Sequence, residues 1–392
     1  MKRVFRLVVL VVGLAFSTTI TAAQESMVPA STNVLAQIDS MAAAEFAKDK
    51  AGSLTVGVIT ATDRFWTKSY GVTDIGPASA PANRKTVYRV GSITKQFTAL
   101  MLLQLVQQGK VRLSDPVEKY LPEIDRIQGK IPFAPPITLV QLATHTAGLS
   151  REPDDAEQFT SGPVAYWRDD LLRALGKTRY IDSPGSRYSY SNIGYAILGA
   201  ALARAAGQDY IGYVEEHIFR PLGMKDTAFE LNEEMRSRLA TGFDIKDGEW
   251  DSRTSQRELR GRGYKVPNGG IYSTMDDLAA FVSFELGNGP EAVLPKEALD
   301  ENFNRLIVSN PNLTGGYGLG FETFRRGDLQ GFGHSGQVAG YESAAYFNRK
   351  SQTAVIMLRS AAGGSYRGTS LCISILQTLD ENRPVDGRLS PR

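Results

Sequence analysis

A hydroxyl and an amine stand three residues apart at Ser92 and Lys95, a spacing that on a helix puts both side chains on one face in adjacent turns. A serine is a poor nucleophile until a base removes its proton, and a lysine serves as that base where burial weakens its hold on a proton. The residues that follow favour such burial. From Ile93 to Gln108 the run is apolar over most of its circumference, with Gly109 as a stop. Such a helix lies between layers, so its first turn, carrying Ser92 and Lys95, opens in the interior or in a cleft. There the helix N-terminus favours a developing alkoxide, and the Ser92 N–H can point at an oxyanion. Alone, Ser-x-x-Lys is equally an N-cap serine beside a surface lysine; the apolar helix argues against that reading here.

Two further groups carry polar chemistry. Tyr190-Ser191-Asn192 follows the Pro184-Gly185 turn and precedes a helical pattern, which displays its side chains from a loop. His334-Ser335-Gly336 is expected to open the final hairpin, where the glycine would let a substrate backbone approach the strand. Gly333 to Gln337 nearly spells a hydrolase nucleophile elbow around Ser335, but that arrangement needs a later histidine and none follows His334. His145, His217 and His334 are isolated from one another and from the single cysteine, so no metal site is expected. His145 is expected to hydrogen-bond structurally and His217 to be a solvated or partly packed helix residue. Arg151 to Phe159 reads as an acidic loop, either a rim over the site or plain surface.

The elements that must position these residues come from both ends of the chain. Val34 to Asp49 reads as an amphipathic helix. Ser53 to Ala61 and Phe65 to Gly71 read as strands joined by turn residues at 61–63. Near the other end Tyr341 to Phe347 and Thr353 to Leu358 flank a turn, with Gly318 to Phe324 and Leu329 to Phe332 as further strands. Trp167 to Leu175, Tyr195 to Ala206 and Met275 to Leu286 give helical periodicity between them. The expected fold class is α/β (α+β): an antiparallel sheet built from both chain ends and flanked by helices, with a mostly helical lobe inserted. One catalytic domain over 24–392 is expected, its α/β lobe at about 35–105 and 315–380 and its helical lobe at about 106–314.

The three groups, in this order, make the sequence resemble the serine β-lactamase and penicillin-binding-protein superfamily, where Ser-x-x-Lys, Tyr-x-Asn and a third motif ending in Gly converge. Arg89 to Lys95, Gln141 to Leu149, Pro221 to Thr227, Asn268-Gly269-Gly270 and Tyr317 to Gly320 are similar to that family's landmarks, and the likeness covers roughly residues 35 to 380. The resemblance implies that Ser92 is acylated, that Lys95 helps deprotonate it, and that Tyr190 is a second acid or base. It implies that Asn192 meets the substrate amide or orients Lys95, and that the N–H groups of Ser92 and Gln337 form an oxyanion hole. His334, Ser335, Gly336 and Gln337 would bind substrate. Many β-lactamases carry Lys where His334 stands; a histidine resembles D-Ala-D-Ala carboxypeptidases and D-aminopeptidases and offers a weaker, pH-dependent anchor for a carboxylate. The expected function is hydrolysis of a D-amino-acid peptide, small amide or ester through an acyl-serine. A family-type carboxylesterase and a non-catalytic module binding peptidoglycan or β-lactams are the alternatives, and no cofactor is implied.

Composition bounds the rest. With 392 residues, 42% of them hydrophobic, the chain can bury one large core or two moderate ones, which excludes disordered and fibrous classes. Residues 1–23 order a basic start, an apolar run from Leu7 to Phe16 and small residues, as a secretory signal does. Removing Lys2, Arg3 and Arg6 with it takes the formal charge from +2 to −1, which offers nucleic acid no electrostatic attraction. Cys372 can form no intrachain disulfide and is expected as a small buried hydrophobe. An exported protein, periplasmic or secreted, without stable membrane insertion and acting on a small molecule or short, cell-wall-derived peptide is the expectation. The oligomeric state is not legible.

Overall fold

The computed structural model describes residues 32–60, 64–77, 79–304, 307–308, 314–364 and 367–382. The expected export signal at 1–23 and the turn at 61–63 lie outside the described residues. Eight strands form one antiparallel sheet: β1 (Ser53–Thr60), β2 (Arg64–Gly71), β3 (Ile307–Val308), β4 (Gly315–Tyr317), β5 (Glu322–Arg326), β6 (Leu329–Val338), β7 (Tyr341–Asn348) and β8 (Thr353–Arg359). Their order is β2-β1-β8-β7-β6-β5-β4-β3, so the first hairpin docks on the last strand, with Leu54 opposite Arg359 and Val56 opposite Met357. The sheet built from both ends is therefore the observed one.

Both faces of the sheet are covered, which explains why β1 and β8 are buried almost throughout instead of alternating between buried and exposed. On one face pack α1 (Thr32–Phe46) and the C-terminal helix Gly368–Glu381, around Ile38, Val56, Met357, Cys372 and Ile375. Cys372 is fully buried there, as expected of a small hydrophobe. The other face meets the inserted helical region, whose core includes Phe97, Ile193, Tyr195, Phe281 and Ile356. The apolar helix α2 (Thr94–Gln107) runs through this second core, with Phe97 stacked on Phe281 at 4.1 Å between ring centroids.

Two expectations change. Gly318 to Phe324 is not one strand: β4 ends at Tyr317, β5 starts at Glu322, and the residues between form a turn closed by Gly318 N–H donating to Phe321 O at 2.9 Å. His334-Ser335-Gly336 does not open a hairpin but lies inside the ten-residue β6. Glycine-rich Leu329–Val338 has a weak strand signature, and its extended form is imposed by β7, which pairs with it from Phe332↔Phe347 to Val338↔Tyr341. β5 pairs with β6 only as far as Gly333↔Glu322. Beyond that point the β6 edge from His334 to Val338 turns to the segment carrying Ser92.

Candidate active site

Ser92 is held from both sides. Tyr88–Arg89 pairs with Tyr272–Ser273, and Val90 N–H donates to Ile271 O at 3.1 Å, so the chain enters the site clamped to the helical region. Gly91 to Ile93 then forms a 3₁₀ turn that runs into α2 at Thr94. Ser92 thus precedes the α-helix instead of sitting in its first turn. The 3₁₀ geometry nearly eclipses residues three apart, and Lys95 Nζ lies 3.1 Å from Ser92 Oγ.

Gly336 has a different purpose from the one its motif suggests. A Cβ there would stand 2.2 Å from Val90 O, 2.4 Å from Ser343 Oγ and 3.0 Å from Ser92 N. The missing side chain lets β6 touch the turn that carries the serine. Gly91 answers from the other side, at φ +50° with its Cβ direction 2.9 Å from Gln337 N. These two close approaches bring the Ser92 and Gln337 amides into one neighbourhood, and the Ser92 amide belongs to a helix start whose first N–H groups lack intrahelical acceptors.

Asn192 is the first residue of α3 (Asn192–Ala206), three residues ahead of the expected helix start. Ser191 is the N-cap, its Oγ accepting from Gly194 N–H at 3.0 Å, while Asn192 N–H donates to Arg151 O at 2.8 Å. Tyr190 is shaped by His145, which sits in a left-handed conformation at φ +58°, stacks on the Tyr190 ring at 4.1 Å and accepts from Ser191 N–H through Nδ1 at 3.0 Å. His145 is thus a buried structural residue, and His217, its Nε2 3.3 Å from Gln208 Oε1, is half-exposed.

These elements converge on Lys95, which is fully buried. Its Nζ meets Ser92 Oγ at 3.1 Å, Asn192 Oδ1 at 2.8 Å and Asn268 O at 3.0 Å. Desolvation holds its pKa well below the ordinary lysine value, with Arg151 and Lys265 pushing the same way and Glu152 and Glu322 opposing. A neutral amine has two N–H donors and one lone pair. The two carbonyl-type oxygens can only accept, so the lone pair is left for the Ser92 hydroxyl proton. Tyr190 moves the other way: burial raises its phenol above the usual tyrosine range, a hydrogen bond with Ser92 partly offsets this, and the Lys95 nitrogen stands 4.9 Å from its ring centre.

His334 departs from its expected part. It is 1% exposed, burial lowers its pKa, Nδ1 lies 2.5 Å from Ser335 O and Nε2 lies 2.9 Å from Tyr317 Oη. A carbonyl only accepts, so Nδ1 carries a proton; burial favours the neutral ring, whose Nε2 accepts from Tyr317, against the opposing pull of Glu322 Oε1 3.9 Å from Nδ1. Both nitrogens are taken by protein, so His334 itself presents no free N–H to a substrate carboxylate. His334 instead fixes the end of β4 against β6. Ser335 and Gln337 point to the other side of the strand, Ser335 half-buried and Gln337 exposed.

All eight expected site residues except Lys95 line a cleft of about 540 Å³, and Lys95 forms its floor beneath Ser92. Three participants are not individually assigned a role by the sequence. The carbonyl of Asn268 is backbone and has no side-chain signature. Glu152 sits in the acidic stretch, yet only the fold brings its carboxylate under Asn192 Nδ2 at 2.6 Å, beside Tyr264 Oη and 3.3 Å from Lys265 Nζ. Arg151 covers Tyr190, its guanidinium carbon 4.8 Å from the ring centre. The Arg151 end of that acidic loop is therefore rim. Among the described residues no cluster of three or more metal-ligating His, Cys, Asp or Glu side chains occurs, and no helix is long and apolar enough to cross a membrane.

The molecule is similar to several known proteins. Beta-lactamase-like protein 2 of Dictyostelium discoideum is 31% identical over 296 residues, which are 74% of this chain and 53% of that protein. The D-alanyl-D-alanine-carboxypeptidase/endopeptidase AmpH of Escherichia coli (strain K12) is 37% identical over 213 residues, 54% of this chain and 51% of that protein. The chain spans about half the length of these curated relatives. The octameric penicillin-binding protein homologue from Pyrococcus abyssi superposes with a TM-score of 0.74 at 26% identity, covering 88% of this chain and 77% of that one. The Beta-lactamase family model matches residues 38–369, nearly the whole described chain, and the protein belongs to that family.

Proposed function

We propose that the protein is a serine hydrolase that forms an acyl-enzyme at Ser92 on a D-amino-acid peptide, small amide or ester. The observation that carries this reading is the buried Lys95 amine, committed to two acceptors and 3.1 Å from Ser92 Oγ. Lys95 takes the hydroxyl proton as Ser92 Oγ bonds to the substrate carbonyl carbon. The resulting oxyanion is held by the N–H groups of Ser92 and Gln337. When the tetrahedral intermediate collapses, the bond to the leaving nitrogen or oxygen breaks and that atom takes the Tyr190 phenol proton. Tyr190 is resupplied by the Lys95 ammonium, so no free phenolate persists in a site where burial disfavours one. Water then enters by the reverse proton path and releases the acid.

The AmpH relative and a buried histidine with a lowered pKa, where many β-lactamases carry Lys, favour peptide or amide substrates over β-lactams. The export pattern of residues 1–23 supports action outside the cytoplasm. Intact mass followed through time after exposure to an aryl phosphonate or a penicillin tests the reading: a covalent adduct on wild-type protein, absent in Ser92→Ala, is expected. Clearance of a penicillin adduct marks turnover, and no adduct on folded protein returns the reading to a non-catalytic binding module. Parallel assays of nitrocefin, a D-Ala-D-Ala peptide, a D-amino-acid anilide and short-chain nitrophenyl esters then separate peptidase, β-lactamase and esterase.

A further inference from the structure

His145 holds the main chain on both sides of Tyr190. Ser189 N–H donates to His145 O at 2.7 Å, and Ser191 N–H donates to His145 Nδ1 at 3.0 Å. The same imidazole lies against the Tyr190 ring, with 4.1 Å between centroids and 32° between planes, whereas the rings of Tyr317 and His334 stand 6.2 Å from it. One residue therefore fixes the backbone that carries the phenol and the plane of its ring, the two things that aim its hydroxyl.

His145 is itself firmly mounted. It follows the short helix Leu139–Ala143, which opens on a reciprocal Thr138–Gln141 cap, and Ala143 O accepts from Tyr195 Oη at 2.6 Å. Its presence is costly. The backbone is left-handed at φ +58°, which costs a non-glycine residue about 1–2 kcal/mol. Because Nδ1 accepts from an amide, the neutral ring carries its proton on Nε2, and that buried N–H has no hydrogen-bond partner among the described residues. Such an unpaired donor costs about 1–3 kcal/mol. Neither feature helps packing; what the imidazole supplies here is an acceptor for Ser191 and a flat face for Tyr190.

We infer that His145 is a positioning residue for the Tyr190 acid: it holds the phenol on the departing atom and so governs how well the enzyme expels basic leaving groups, without moving a proton itself. This rests on the acyl-Ser92 reading, in which the leaving atom takes the Tyr190 proton. The effect is selective. A group that departs readily as an anion needs little from the phenol, whereas an amide nitrogen must be protonated as it leaves. His145 thereby favours peptide and amide substrates over activated esters.

Two aryl phosphonate monoesters that share one phosphonyl group, one losing 4-nitrophenol and the other phenol, test this without turnover. As Ser92 Oγ bonds to phosphorus and Lys95 takes the hydroxyl proton, the bond to the aryl oxygen breaks and that oxygen takes the Tyr190 proton; the phenol-releasing probe needs it more. Phosphonylation rates are followed by intact mass for wild type, Tyr190→Phe, His145→Ala, His145→Asn and Ile375→Ala. The ratio of the 4-nitrophenyl rate to the phenyl rate is expected to widen about a hundredfold or more in Tyr190→Phe, the size of one general acid, and about tenfold in His145→Ala, which leaves the phenol present but poorly aimed. His145→Asn places an acceptor oxygen where Nδ1 stands and tolerates the left-handed backbone, so it recovers the grip on Ser191 without the ring and gives an intermediate ratio. Ile375→Ala removes a buried side chain on the far face of the sheet and keeps the wild-type ratio, because general loosening slows both probes alike. Equal slowing of both probes in the folded His145 variants, with the ratio widened in Tyr190→Phe, overturns the inference; if His145→Ala does not fold, His145→Asn decides alone. A ratio unmoved in Tyr190→Phe removes the acid role from Tyr190, and no labelling of wild type by either probe removes the acyl-serine reading. The inference falls with either, and each failure has its own signature.

Discussion

Asn192 Oδ1 accepts from Lys95 Nζ at 2.8 Å, and the orientation of that carboxamide is fixed from its far side. Its Nδ2 donates to Glu152 Oε1 at 2.6 Å, so the oxygen cannot turn away from the lysine without facing a carboxylate. Glu152 is half-buried, and against the cost of that burial its own pKa is lowered by Lys265, Tyr264 and Asn192. It is a positioning residue for the base and also a charge near it.

Glu152→Gln separates these two roles. A glutamine can donate as well as accept, so the Asn192 amide loses its unique orientation, and kcat is expected to fall about tenfold or more, the equivalent of one charged hydrogen bond. Glu152 raises the Lys95 pKa against its burial. Removing that charge lowers it further, so the acid limb of the kcat/KM profile moves to lower pH. A limb that stays in place, or moves up, contradicts the assignment of that limb to Lys95.

The base also leaves a mark on stability. Lys95 has a folded-state pKa well below its ordinary 10.5, so between that lowered value and 10.5 the unfolded chain binds the extra proton and the folded chain does not. Stability therefore rises with pH across that window. Lys95→Met should abolish turnover and flatten this rise in chemical unfolding experiments run from about pH 6 to about pH 10. An identical slope in both proteins would show that Lys95 stays charged in the fold.

His334→Ala is expected to lower activity without reshaping the pH profile near neutrality. Burial lowers the His334 pKa from 6.5, which moves its titration toward acidic pH. The loss comes from leaving Tyr317 Oη unpaired, at a cost of about 1–3 kcal/mol, and from loosening β6. Tyr317→Phe should reproduce part of the defect. An inflection near the ordinary histidine value that disappears in His334→Ala would restore the charged-anchor role.

Gly336→Ala places a methyl 2.2 Å from Val90 O and 3.0 Å from Ser92 N. Backbone cannot retreat as a side-chain tip can, so the serine turn must shift. We expect a stability loss of about 1–3 kcal/mol together with a fall in Ser92 acylation rate of at least about a hundredfold, since misplacing a reacting group by about 1 Å costs that much. Acylation at the wild-type rate would show that the contact between β6 and the turn is not what aims the nucleophile.

Glu285, on the helix Met275–Glu285, is fully buried and its carboxyl is pushed up to about 8. Gln96 Oε1 and Asn302 Oδ1 line the same small cavity and lack hydrogen-bond partners. The folded chain holds this proton between the unfolded value of 4.5 and about 8, so stability falls as pH rises through that window. Glu285→Gln should gain stability relative to wild type at about pH 9 and not at about pH 4, by more than about 1 kcal/mol in urea titrations.

The sequence alone determined the parts that depend on neighbours along the chain. The apolar run after Lys95, the β-branched Ser53–Thr60, the turn-flanked pair around 348–352 and the three spaced motifs are local patterns, and each was legible because hydrophobic period and turn chemistry act over a few residues. Ser92 and Lys95 stood out from the apolar helix that follows them, whereas Tyr190 and Asn192 could be named only from the order of the motifs and the resemblance it carries. Tertiary structure decided what those groups experience. That His334 is engaged at Nε2 follows from the Tyr317 hydroxyl 17 residues away, and its lowered pKa from burial. That Gly336 is needed for a backbone contact follows from Val90, and that Asn192 faces one way follows from Glu152. Desolvation, close approach and hydrogen-bond direction are properties of what packs around a residue, and the groups that pack here come from segments as far apart as 90 and 336.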